Sequence, residues 1–347
     1  MLTDRELLIL EEIVREYTEN GQPIGSKTLM NNLPFKVSSA TIRNDMAKLE
    51  DAGLLEKMHS SSGRVPSLTG YRYYVDHLLR PSKINDQQVK TIAEGFDTHF
   101  QEVDDIVKTS ADMLSKITHY TALTLKPEQH NTTITGFRMV RISESQIMIL
   151  LVDSNGDVTS QQFTIPHGMD SNEIERVLRI MNDRLIGKTF DDVETELKGE
   201  IPRIIEQTLY NGQGFIDVFD NIINRSFEDR YFVSGKLNML NFSNVSDISS
   251  IKALLGMFNK QDELDNLLIH SRNQGVNVKI GNELSNSLLK DFSLITTTYD
   301  VGNRGTGIIA ILGPTSMEYS KTLGLLDTFR NQLSHRMLQY YKHLNDS

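Results

Sequence analysis

The first 66 residues are punctuated so closely that only a run of short elements fits them. Thr3 and Glu6 form a T-x-x-E capping box, and Leu7, Leu10, Val14 and Tyr17 follow on one helical face. Asn20-Gly21 stops that helix. Ser26 opens a short second helix with Leu29 and Met30 as its buried side. Leu33-Pro34 closes it, because the residue before a proline avoids the helical region. A third helix starts at Ser38 or Ser39, either of which can cap it, and ends at Gly53. Leu54 to Met58 then reads as a strand, Ser60 to Gly63 as a turn, and Arg64-Val65 as the return strand. Helix, helix, helix, hairpin is the order of a winged helix-turn-helix.

The third helix divides into two faces. Ile42, Met46 and Leu49 share one, while Ala40, Arg43, Asn44, Ala47 and Lys48 occupy the others. Side chains near the start of such a helix can reach base edges in a major groove. The fork of Arg43 suits the two acceptors of guanine, and the amide of Asn44 suits adenine. Ser38 and Ser39 stand at the helix start, and Ser39, Thr41 and Lys48 suit phosphates or bases. In the hairpin, Ser61 and Gly63 let the backbone lie close to DNA, Arg64 supplies charge, and His59 is placed to touch phosphate. Tyr71, Tyr73 and Tyr74 interleave with Arg72, but Tyr71, Tyr74, Val75 and Leu78 recur at helical spacing, which predicts packing rather than base stacking.

Charge agrees with this placement. The chain carries a net charge of -10, yet residues 26–80 hold eight Lys/Arg against five Asp/Glu. A local basic face on an acidic body is compatible with DNA binding, since phosphate attraction acts at short range.

Arg80-Pro81-Ser82 reads as a boundary. Beyond it, one long helical region is expected over Asp86 to His119, with Phe96, Phe100, Val103, Val107, Ser110, Leu114 and Ile117 in a heptad-like stripe. That stripe could pair two subunits or pack on its own sheet. Strands are predicted at 133–142, 146–152 and 158–165, followed by a helix bearing Ile174, Val177, Leu178, Met181 and Leu185. From Gly187 to about His270 short helical pieces dominate, and strand signals return at 276–280, 292–298 and 307–312 before a last helix with Leu323, Leu326, Phe329 and Leu333. Strands, then helices, then strands predict an α+β multidomain chain in which a mostly helical insertion interrupts an α/β domain.

Catalytic signals are weak. The nine histidines show no metal-ligand spacing, and there is no P-loop and no G-x-S-x-G. Gly302 to Gly307 is glycine-rich but precedes a strand rather than a helix, so it reads as a hairpin turn. No catalytic, cofactor or metal site is expected. No window approaches the apolar length of a membrane span, the N-terminal segment is acidic and amphipathic rather than a leader, and there is no cysteine. The expected location is cytoplasmic.

The stretch SSATIRNDMAKLEDAGLLEKMHSSSGRVPSLTGYRYYVD (Ser38–Asp76) resembles the heat-inducible transcription repressor family, HrcA. VNVKIGNE, DFSLITTTYDVG and GTGIIAILGPTSMEYSKTLGLLDTF are similar to its C-terminal signature, so the resemblance runs over nearly the whole chain. It implies a winged-helix domain at 1–80, a GAF-like domain at 81–186 and 271–347, and a dimerisation domain inserted at 187–270. It also implies a homodimer that binds double-stranded DNA at an inverted repeat of the CIRCE type, represses chaperone operons, and depends on a chaperonin until heat removes that support. Ser39, Thr41, Arg43 and Asn44 would then be groove readers and Arg64 the wing arginine. Ser316 stands where the family usually has arginine, so no role of that arginine is carried over. The alternative is a winged-helix regulator gated by a small molecule in the GAF-like domain.

Overall fold

The structure is a computed structural model describing residues 2–58, 63–97, 100, 102–128, 132–154, 156, 158–165, 171–208, 231–242, 248–268 and 275–345. Two compact units make it up: residues 1–127 with 232–347, and residues 128–231.

The first unit begins with α1 (Asp4–Asn20), α2 (Ser26–Asn32), α3 (Ser39–Asp51), β1 (Leu55–Lys57), β2 (Arg64–Pro66) and α4 (Leu68–His77). The Thr3–Glu6 capping box forms, and Gly21 closes α1 in the left-handed region at φ 65°. Ser38 caps α3 by accepting the Thr41 amide, and Ser67 caps α4 by accepting that of Gly70. β1 and β2 pair antiparallel. Ile9, Leu10, Ile13, Leu29, Ile42, Leu49 and Tyr71 are all buried in one core. α4 packs close to the end of α3, where a Cβ on Gly70 would collide with the Leu54 carbonyl oxygen.

The helix expected over Asp86–His119 is two helices, α5 (Asp86–Phe96) and α6 (Val103–Thr118). Asn85 caps α5 through its side chain, and α6 ends at His119 in the left-handed region. The stripe packs inward: Phe96, Phe100, Val107 and Leu114 are buried, and the Phe96 ring meets that of Phe329 at 6.1 Å.

β3 (Thr121–Glu128) follows, a strand that the sequence reading passed over. Its first five residues are all buried, so it lacks the alternation by which a half-exposed strand is recognised. The second unit then holds β4 (Ile134–Arg141), β5 (Gln146–Asp153), β6 (Val158–Thr164), α7 (Ser171–Leu185), α8 (Phe190–Lys198) and α9 (Glu200–Thr208). β4, β5 and β6 form an antiparallel sheet of their own. α7 packs on it through Ile174, Val177 and Met181, and Asn182 both accepts from the Phe137 amide and donates to its carbonyl.

The chain returns through β7 (Tyr231–Ser234), α10 (Ile248–Gly256), α11 (Gln261–Leu268), β8 (Asn277–Ile280), β9 (Phe292–Asp300), β10 (Thr306–Pro314) and α12 (Tyr319–Asn345). These strands join β3 in a five-stranded sheet ordered β7-β3-β10-β9-β8. β9 and β10 form the hairpin expected around Gly302–Gly307; Gly307 faces Tyr299, whose ring leaves no room there for a side chain.

The strands at 134–164 form a sheet separate from that of the later strands, and the two compact units meet at 127/128 and 231/232. Arg80-Pro81-Ser82 is held against the start of α12. The Ser82 amide donates to the Ser320 carbonyl at 3.0 Å, and the Ser320 hydroxyl donates to that of Arg80 at 2.6 Å. Among the described residues, no helix is long and apolar enough to cross a membrane.

Candidate nucleic-acid interface

α3 sits on α1 and α2 by its apolar face, which fixes what it shows to solvent. Ser26 and Ser39 join their hydroxyls at 2.9 Å, holding the corner between α2 and α3. The Ser38 hydroxyl accepts from the Thr41 amide at 3.1 Å and lies 2.9 Å from the Thr41 hydroxyl. Ser38, Ser39 and Thr41 thus build the helix start, with Ser38 exposed and the other two half-buried.

Arg43 and Asn44 are exposed one turn further on, beside Ala40 and Ala47. Among the described residues neither side chain makes a hydrogen bond or ion pair. Asp45, Lys48 and Glu50 further along the helix are engaged. Asp45, with a side chain only 2 % exposed, accepts a two-pronged contact from Arg5 at 2.7 and 3.1 Å. Lys48 donates to Glu6 at 2.9 Å, so its ammonium helps fasten α3 to α1. The Glu6 carboxyl is pulled down to about 2, first by the Thr3 amide and then by Lys48.

Arg64 departs most from the sequence reading. Its side chain is 10 % exposed, and its guanidinium donates to Glu50 through Nε at 2.8 Å. Its backbone amide and carbonyl both bond to Ile24, each at 2.9 Å. Glu50 also meets Lys57 at 3.1 Å. Burial raises the Glu50 pKa, but the bonds from Lys57 and Arg64 outweigh it and leave that pKa below the ordinary value. Arg64 therefore faces inward as a brace between hairpin and α3, because an internal carboxylate stands within reach of its fork. Gly63 is buried too, and a Cβ there would lie 2.8 Å from the Pro23 Cβ. It serves a close approach of backbones. His59 and Ser61 lie outside the described residues.

The residues that hold this face, Arg5, Glu6, Asp45 and Glu50, were not singled out for that work from sequence. Glu6 was visible only as a cap. Lys27 and Lys36 were also passed over; both are exposed next to the helix-turn-helix corner, and among the described residues neither is paired.

Comparison with known proteins accords with this layout. A DeoR-like helix-turn-helix domain matches residues 28–65, and the HrcA protein C-terminal domain matches residues 104–323. The heat-inducible transcription repressor HrcA of Pediococcus pentosaceus is 70 % identical over 347 residues, covering 100 % of each chain. The chain belongs to the HrcA family of heat-inducible transcription repressors. The HrcA of Limosilactobacillus reuteri is 47 % identical over 350 residues, again covering 100 % of both. These HrcA relatives carry the name of a repressor, not of an enzyme. A crystal structure of a hypothetical protein at 2.2 Å resolution shares the fold, with a TM-score of 0.59 at 24 % identity over 98 % of this chain and 99 % of that one.

Proposed function

We propose that this chain is a cytoplasmic, homodimeric repressor that reads an inverted-repeat operator of the CIRCE type with α3 and releases it on heating, when chaperonin support is lost. One observation carries the DNA reading. On α3, Arg43 and Asn44 stand exposed and uncommitted while Asp45, Lys48 and Glu50 are taken up within the fold. Arg43 and Asn44 are the base readers, Ser38, Ser39 and Thr41 set the helix start against the backbone, and Lys27 and Lys36 supply phosphate contacts. Lys48 and Arg64 act as positioning residues. His59 and Ser61, outside the described residues, keep their expected role at phosphate.

Two-fold symmetry of the protein matches that of an inverted repeat. The GAF-like role falls to the five-stranded sheet and its helices, and the dimerising role to the inserted unit. Residues 128–231 offer an apolar outer face for it: Val140 and Val158 are 47 % and 59 % exposed, flanking Met148, Leu150 and Val152 on one side of the small sheet. Chaperonin dependence is carried over from the family resemblance. Fluorescence anisotropy of the full chain on an inverted-repeat duplex, a single half-site and a scrambled duplex tests this. The reading expects two chains per inverted repeat and much weaker binding to the other two. Equal affinity for all three contradicts it.

A further inference from the structure

A cleft of about 450 Å³ opens beside the edge strand β8, within the size range of small-molecule sites. Leu267 and Leu284 supply apolar wall, Asn266 and Asn286 supply amides, and Glu263 and Lys279 bring opposite charges. Glu263 is already answered: Lys260 donates to it at 2.8 Å and the Asn286 amide at 3.4 Å. Lys279 is not. It is half-buried, and among the described residues its ammonium has no hydrogen-bond or ion-pair partner. Burial lowers its pKa. A partly desolvated cation with no counter-ion among the described residues, in a cleft with an apolar wall and an exposed amide at Asn266, is complementary to a small molecule with one anionic end.

The strand that carries Lys279 also seats α4, which packs on α1 in the N-terminal helical core. Arg72 on α4 donates to the Val278 carbonyl at 2.8 Å and to Glu283 at 3.0 Å. Glu283 in turn accepts from the Ile280 amide at 2.8 Å. Lys279 thus stands between the two backbone groups that engage Arg72 and its carboxylate partner. Leu284 of the cleft directly follows Glu283. Leu68 of α4 lies against Gly281, whose added Cβ would meet it at 3.2 Å.

We propose that this cleft binds a small organic anion, its carboxylate or phosphate on Lys279 and a short apolar body along Leu267 and Leu284, and that occupancy is coupled to the winged helix through β8 and Arg72. The coupling rests on the DNA-binding reading; the binding site does not.

Isothermal titration of the full chain with sodium butyrate, propyl phosphate and inorganic phosphate tests the site. Saturable one-to-one binding of butyrate or propyl phosphate is expected, and which of them binds names the anionic group. Loss of the charge-assisted contact in Lys279→Gln should weaken it about 10- to 100-fold. Asn266→Ala, at an exposed position, should weaken it less. No saturable binding of any probe, or equal binding by Lys279→Gln, overturns the site. Operator affinity of the wild type, measured with and without the bound probe, should differ about fivefold or more. An unchanged affinity overturns the coupling. A chain that fails to bind operator even without probe refutes the DNA reading and leaves the titration result standing.

Discussion

At the scale of single residues, two arginines of one small domain do different work because of what lies within reach. Arg43 has no internal partner, whereas Arg64 has Glu50. The difference is measurable by salt dependence. Each phosphate contact adds about 0.9 to the slope of log affinity against log salt on duplex DNA. Lys27→Ala should lower that slope by about one. Arg64→Ala should leave it unchanged and instead lower the folding stability by about 1–3 kcal/mol, since Glu50 loses its more buried cationic partner. A slope that falls in Arg64→Ala would place its guanidinium on phosphate after all. Glu6 gives a pH signature. Its folded-state pKa of about 2 lies below the ordinary glutamate value of about 4.3, so its contribution to stability is full above that ordinary value. It is lost as pH falls through the folded value. The stability difference between wild type and Glu6→Gln, from urea unfolding, should be constant near neutrality and shrink below about pH 4. A difference that does not shrink would show that the Thr3 and Lys48 contacts do not hold the carboxylate.

At the scale of elements, close backbone approaches decide what can be changed. Gly70→Ala places a methyl group against the Leu54 carbonyl, a rigid neighbour. It should cost about 1–3 kcal/mol by overpacking, read as a lower melting temperature. An unaltered melting temperature would mean that α4 is not seated where the structure puts it. On the small sheet, Val158→Lys sets a charge on the exposed apolar face. If that face pairs two chains, light scattering should report a shift from dimer toward monomer; an unshifted dimer places the contact elsewhere. The elements themselves were unevenly legible. α1 to α4 carry local signals, Thr3, Gly21, Ser38 and Pro34, that act within a few residues, and their order was read correctly. β3 carries none, because burial on both sides erases its period. The break between α5 and α6 was missed because one apolar stripe runs through both helices, and both pack it inward.

At the scale of the whole molecule, what sequence could not supply is long-range pairing. Arg64 with Glu50, Arg5 with Asp45 and Arg72 with Glu283 are separated by 14, 40 and 211 positions, and no local pattern relates their members. The first two pairs brace α3, and the third ties α4 to the β8 region. The separation of strands 134–164 into their own sheet is a fact of the same kind, since each strand was recognisable while its exclusion from the later sheet was not. The central claim is that the uncommitted face of α3 reads operator bases. Its most direct test compares the affinities of wild type and Arg43→Ala for an inverted-repeat duplex and for a scrambled one in the same salt. Losing one two-pronged base contact should cost about 1–3 kcal/mol on the inverted repeat and little on the scrambled duplex. An equal loss on both duplexes would contradict base reading by α3.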